Sequence, residues 1–225
     1  AGIGPELVLK LWPDRETHAL CQPVVIGSAS VLQEQSKQLS SSPYIVECDS
    51  IAQALKQSSP DTLACVDPSG ADLASVSLGS VHAVAGRAAY DYLTTAIDAA
   101  MKGEVDGIVT LPLHKEGLHA AGLNYPGHTE ILAERTGTRE FGMMLYRSGL
   151  GVLHVTLHTS VRKAIDLLRT DAVHEKIVLL DGMMKRLGVN KPRLAAAALN
   201  PHASDGGLFG DEEATIIAPA IQEAS

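Results

Sequence analysis

Residues 86–111, GRAAYDYLTTAIDAAMKGEVDGIVTL, carry the reading that decides the fold. Ala89, Tyr92, Leu93, Ala96, Ile97 and Ala100 recur at spacings of three and four, which places one apolar stripe on a helix from Gly86 to Lys102. Gly103 follows where helices commonly end on a left-handed residue. Val105 to Leu111 is then a largely apolar run of strand length, closed by Pro112. Such a run reads as a strand covered on both faces. A helix leading into a covered strand is the repeating unit of a parallel sheet.

The same alternation extends in both directions. Pro5 to Trp12 reads as a short helix with proline at a tolerated first-turn position. Pro23 to Gly27 reads as a buried strand, and Ser28 is placed to cap a helix running to about Leu39. Tyr44 to Cys48 and Thr62 to Asp67 are further strands. Thr129 to Thr136 is a short helix, and Phe141 to Tyr146 and Gly151 to Leu157 are two strands joined by a turn at Ser148-Gly149. Helices follow at Val161 to Leu168 and Ala172 to Leu187, then a strand at Arg193 to Leu199, and the chain is helical from Glu212 onward. The fold class is therefore α/β with a mostly parallel sheet. No repeat, linker or low-complexity tract divides the 225 residues, and composition marks no internal boundary.

Composition excludes several function classes. Hydrophobic residues make up 45% and charged residues 20%, which is globular and neither disordered nor fibrous. Lys and Arg number 18 against 26 Asp and Glu, a formal charge of −8. Binding to nucleic acid needs clustered cations, so no nucleic-acid partner is expected. A small anionic substrate needs only a few local donors and stays open. No apolar run reaches the roughly 20 residues of a membrane helix, so no membrane partner is expected. Three cysteines without a CxxC pair, Cys21, Cys48 and Cys65, read as small buried hydrophobes in a reducing cytoplasm.

Polar chemistry gathers where strands end, the place where α/β proteins hold ligands. Four segments stand out: Pro112 to Glu116, Tyr125 to Glu130, His154 to Ser160, and the glycine-rich stretch Asn200 to Gly210. Each carries histidine, the neutral-pH acid–base group and a common metal ligand. His154 and His158 would share a face on a continuous strand. If the strand has ended by Leu157, only one of them serves the site, and His158 is preferred. The absences also count. There is no GxGxxG between strand and helix, no P-loop, no GxSxG and no HExxH, which removes a classical Rossmann dehydrogenase, an NTPase, a serine hydrolase and a zincin.

Taken together these residues resemble the 4-hydroxythreonine-4-phosphate dehydrogenase family of pyridoxal phosphate biosynthesis. Ala1 to Glu6 (AGIGPE), Leu111 to Glu116 (LPLHKE), Tyr125 to Glu130 (YPGHTE) and Asn200 to His202 with the GGLFG stretch at 206–210 are similar to its signatures, in the family's order. The resemblance implies a non-Rossmann fold like isocitrate and isopropylmalate dehydrogenase, in two lobes with an interdomain cleft. It implies a homodimer whose active site lies at the subunit interface. It implies NAD or NADP and a divalent metal (Zn, Mg, Co or Mn) as cofactors, with His158 and His202 as catalytic metal ligands and His128 and Thr129 as substrate-binding residues. The implied reaction is the oxidation and decarboxylation of a small phosphorylated substrate, 4-phosphooxy-L-threonine, in the cytoplasm. The family's third metal-binding histidine belongs to a later His-Asp-Gln-Gly segment. Residues 1–225 are therefore expected to be one truncated α/β unit covering most of the family's N-terminal and central parts. The alternatives are a same-family dehydrogenase acting on a four-carbon sugar-acid phosphate or a cyclic diol carboxylate, a metal-dependent lyase or isomerase that uses no NAD, and an inactive truncated domain.

Overall fold

Thr62–Val66 (β3) is the most deeply buried strand, with Leu63, Ala64 and Cys65 each 0% exposed. In this computed structural model, which describes residues 2–73 and 76–225, β3 lies between two parallel neighbours. Val25–Ile26 (β1) pairs with Cys65 and Val66, and Tyr44–Glu47 (β2) pairs with Thr62 to Cys65. Side chains alternate across a strand, so β3 feeds two cores. Leu63 and Cys65 face Leu9, Trp12, Ala29, Leu32 and Ile45, while Ala64 faces Cys48 and Ala54. The covering helices are Gly4–Leu11 (α1), Ala29–Ser36 (α3) and Ile51–Gln57 (α4). A strand covered on both faces must be apolar throughout, and this is why the sequence TLACV sits at the centre.

The backbone falls into two compact units, Ala1–Thr138 and Arg139–Ser225; Ala1 of the AGIGPE opening lies outside the described residues. Arg15–Leu20 (α2) and α4 are helices that apolar periodicity does not reveal. Local capping makes them: Asp14 accepts from the Glu16 and Thr17 N–H groups, and Ser50 Oγ accepts from Gln53 N–H at 3.2 Å. Ser28 does precede α3, but its hydroxyl pairs with the Ser30 hydroxyl at 2.9 Å and makes no capping bond.

The long helix is Ala83–Met101 (α5). Its buried stripe is Ala85, Gly86, Ala88, Leu93, Ile97 and Ala99, so the helix is turned slightly from the predicted face. Leu93 and Ile97 pack with Leu118 of Lys115–Ala120 (α6) and Ile131 of His128–Thr136 (α7). Gly86 and Gly117 meet where α5 crosses α6; a Cβ on Gly86 would stand 1.9 Å from the Gly117 carbonyl oxygen.

In the second unit, Met144–Arg147 (β4) and Leu150–Leu153 (β5) form an antiparallel hairpin. Its turn is Ser148-Gly149, with Gly149 at φ +82°. Val161–Asp166 (α8) and Thr170–Arg186 (α9) follow, and Leu180 and Met184 of α9 lie against Gly151. Ala218–Ala224 (α10) packs on α9 and is entered through a π-helical turn at Glu213–Ile217. Pro219 lacks the N–H that a regular helix would use there, and the wide turn accommodates that loss.

The structure corrects three further expectations. Residues 105–111 and 193–199 are not strands: neither run joins a ladder among the described residues, and Val109 is 93% exposed. Hydropathy gives a run its length, but a strand also needs a neighbouring backbone to pair with. Cys21 is exposed, whereas Cys48 and Cys65 are buried as expected. Burial pushes the Cys65 thiol up to about 12, so it stays protonated. Among the described residues no helix is long and apolar enough to cross a membrane.

Candidate active site

The predicted substrate residues open α7. Gly127 is its N-cap, His128 its first residue and Thr129 its second, which places both side chains beside the free backbone N–H groups of the first turn. Those N–H groups and the helix dipole favour an anion. Tyr125 stacks on Tyr90 of α5, with ring centroids 5.8 Å apart, and its hydroxyl donates to Glu134 at 3.0 Å, which fixes the entry loop against α5 and α7. His128 is half-buried, and burial holds its imidazole below the ordinary histidine pKa. It is therefore a neutral hydrogen-bonding group at neutral pH.

The sign of that shift gives a prediction. A depressed folded pKa means the unfolded chain binds the proton more readily, so acid favours unfolding. The penalty is absent above the unfolded histidine pKa of about 6.5, grows as pH falls through it, and levels off below the folded value. His128→Gln is expected to flatten the stability–pH curve across that window. Denaturant unfolding at stepped pH measures this, and parallel curves for the two proteins would contradict the burial of His128.

His114 has a local task. It is the N-cap of α6, and its Nδ1 accepts from Gly117 N–H at 3.1 Å, which places the ring proton on Nε2. His154 is similarly engaged. Its ring Nδ1–H donates to the Met143 carbonyl at 3.2 Å, and its backbone N–H donates to the same oxygen. Strand β5 stops at Leu153, so His154 and His158 are not on a common strand face. His158 stands in a loop at φ +46°, exposed, and its ring has no hydrogen-bond partner among the described residues.

His202 lies in the glycine-rich segment of the second unit. Its ring is exposed and lies tilted by 31° against Phe209, with centroids 4.8 Å apart, and its backbone N–H donates to Asn200 Oδ1 at 2.9 Å. The next five residues, Ala203 to Gly207, all have positive φ. Three of these are not glycine, and each such residue costs roughly 1 kcal/mol or more in the left-handed region. This strained turn is secured by Glu213, whose carboxylate accepts from Leu199 N–H at 2.9 Å and from the Ser204 hydroxyl. Glu213 was not among the predicted site residues. Its sequence position marks only the start of a helix.

His158 and His202 thus offer two imidazoles in the same unit whose ring nitrogens are unengaged among the described residues, a donor set that fits part of a divalent-metal site. Among the described residues, no group of three His, Cys, Asp or Glu side chains is gathered to hold a metal.

Residues 19–225 match the family model described as pyridoxal phosphate biosynthetic protein PdxA. The chain belongs to the PdxA family. A D-threonate 4-phosphate dehydrogenase of Salmonella typhimurium is 40% identical over 225 residues, all of this chain and 68% of that protein. A 4-hydroxythreonine-4-phosphate dehydrogenase of Desulfosudis oleivorans is 40% identical over 224 residues, covering 99% of this chain and 65% of that protein. The crystal structure of a 4-hydroxythreonine-4-phosphate dehydrogenase from Klebsiella pneumoniae superposes with a TM-score of 0.88 at 38% identity, over 99% of this chain and 68% of that one. The PdxA-family chain thus spans about two thirds of the length of the relatives it matches.

Proposed function

We propose that the protein is a dehydrogenase that oxidises and decarboxylates 4-phosphooxy-L-threonine to 3-amino-2-oxopropyl phosphate, within pyridoxal phosphate biosynthesis. The observation that supports this most directly is the 40% identity, across essentially the whole chain, to a relative named for that substrate. The C3 alcohol gives up a hydride to NAD or NADP and its hydroxyl proton to solvent. The resulting β-keto acid loses CO₂. A divalent metal bound with the help of His158 and His202 supplies the Lewis acidity that polarises the reacting oxygen. His128 and Thr129 hold an anionic group of the substrate at the start of α7. A neutral His128 contributes an N–H donor there and adds no charge. The protein works in the cytoplasm as a homodimer, in an isocitrate-dehydrogenase-like fold with the active site at the subunit interface.

A second reading is carried by the Salmonella relative. D-threonate 4-phosphate presents the same C3 alcohol, carboxylate and phosphate, with a hydroxyl where threonine has an amine, and the same chemistry applies to it. The full-length protein should be assayed with each compound, NAD or NADP and a divalent metal, with formation of the reduced cofactor as the readout. A kcat/KM at least about tenfold higher for the amino substrate, equivalent to 1.4 kcal/mol in the transition state, supports the first reading. The reverse ratio supports the second. No reduced cofactor from either compound, with NAD or with NADP, overturns both.

A further inference from the structure

We propose that Glu213 is a positioning residue for the His202 imidazole, an inference that rests on the reading of His202 as a metal ligand. Glu213 fastens the loop on both sides of that histidine. Leu199, three residues before His202, gives its N–H to one carboxylate oxygen, and Ser204, two residues after, gives its hydroxyl to the other. Ser204 is 6% exposed in an otherwise exposed loop, so this contact is the loop's point of attachment.

The base of that attachment is rigid. Glu213 begins the π-helical turn that leads into α10, and Ile217 and Ala220 of this segment are buried. Packing of α10 on α9 thus carries through one side chain to the loop. The loop needs such support, because Ala203, Ser204 and Asp205 all sit at positive φ without being glycine. Little else competes to hold it: Phe209 is 54% exposed, and among the described residues the remaining hydrogen bonds of the loop lie within residues 199–209. The Ser204 hydrogen bond, above all, keeps the Glu213 carboxyl below the usual glutamate range, so it is an ionised acceptor for both donors. Partners that orient a metal ligand are typically worth tenfold to a hundredfold in metal affinity.

The experiment uses the full-length protein as wild type, Glu213→Ala, Glu213→Gln and His202→Ala. Two readouts are taken: NMR of ring-labelled histidine in the metal-free protein, and zinc titration. The Phe209 ring shifts the His202 C–H resonances, and Glu213→Ala should move them toward the values of a free histidine while the melting transition stays cooperative. Zinc affinity in that variant should fall by about tenfold to a hundredfold. Glu213→Gln, which keeps an oxygen for Leu199 N–H, should recover at least half of that loss on a logarithmic scale. Wild-type zinc affinity in Glu213→Ala, with affinity lost in His202→Ala, overturns the positioning role. Wild-type affinity in His202→Ala instead overturns the metal reading, and the His202 resonances alone then decide whether Glu213 holds the loop: unmoved resonances reject it.

Discussion

Gly86→Ala is expected to destabilise the protein by about 3 kcal/mol, at the upper end of what overpacking a well-filled contact costs. Glycine to alanine inside a helix ordinarily stabilises by up to about 1 kcal/mol, because alanine has the better helix propensity. At Gly86 the sign inverts. The added Cβ would stand 1.9 Å from the Gly117 oxygen, 2.2 Å from its carbonyl carbon and 2.8 Å from Leu118 N. All three are backbone atoms, so no side-chain rotation relieves the clash and α5 must move away from α6. Leu118, 0% exposed, then loses its packing on Leu93, Ile97 and Ile131. The 112–116 segment, which leads into α6 through the His114 cap, shifts with it. Gly182→Ala is the matched control. That glycine lies in α9 with nothing within 4 Å of its ideal Cβ, so the substitution should be neutral or stabilising. Denaturant unfolding of both variants decides the matter: a Gly86→Ala midpoint at or above wild type would refute the close crossing.

Neither glycine of this crossing could be paired with the other from sequence, since each is only a small residue in a helix until the helices are brought together. The same distinction runs through the fold. The parallel sheet was legible because TLACV is apolar without alternation, and α5 was legible because the apolar stripe from Ala89 to Ala100, Leu93 and Ile97 among it, keeps helical spacing for about three turns. The hairpin followed from two apolar runs around Ser148-Gly149. By contrast, 105–111 and 193–199 are hydrophobic enough for strands but have no ladder partner among the described residues, and α2 and α4 are too short for periodicity to register. Among the candidate residues, residue types marked four histidine-bearing segments, and the family resemblance singled out His128, Thr129, His158 and His202 within them. What the sequence could not convey was occupation: that the ring of His154 is already committed to Met143 while that of His158 has no partner among the described residues, and that Glu213 reaches back to Ser204.

His202→Ala should remove metal binding and turnover together while leaving the fold intact. Structural zinc sites with four ligands bind with roughly 10–16 kcal/mol, so one ligand is worth about 3 kcal/mol, or at least a hundredfold in affinity. The fold is spared because the His202 ring is exposed and, among the described residues, its one ring partner is the half-exposed Phe209. The bond from its backbone N–H to Asn200 does not involve the side chain and survives the substitution. His154→Ala is the informative opposite. It breaks a ring hydrogen bond to Met143 and should cost roughly 0.5–1.5 kcal/mol of stability, yet keep its metal. Metal content after dialysis and denaturant midpoints, measured on the same preparations of the full-length protein, separate the two effects. Equal metal content in wild type and His202→Ala would remove His202 as a ligand, and loss of metal in His154→Ala at unchanged stability would put His154 in its place.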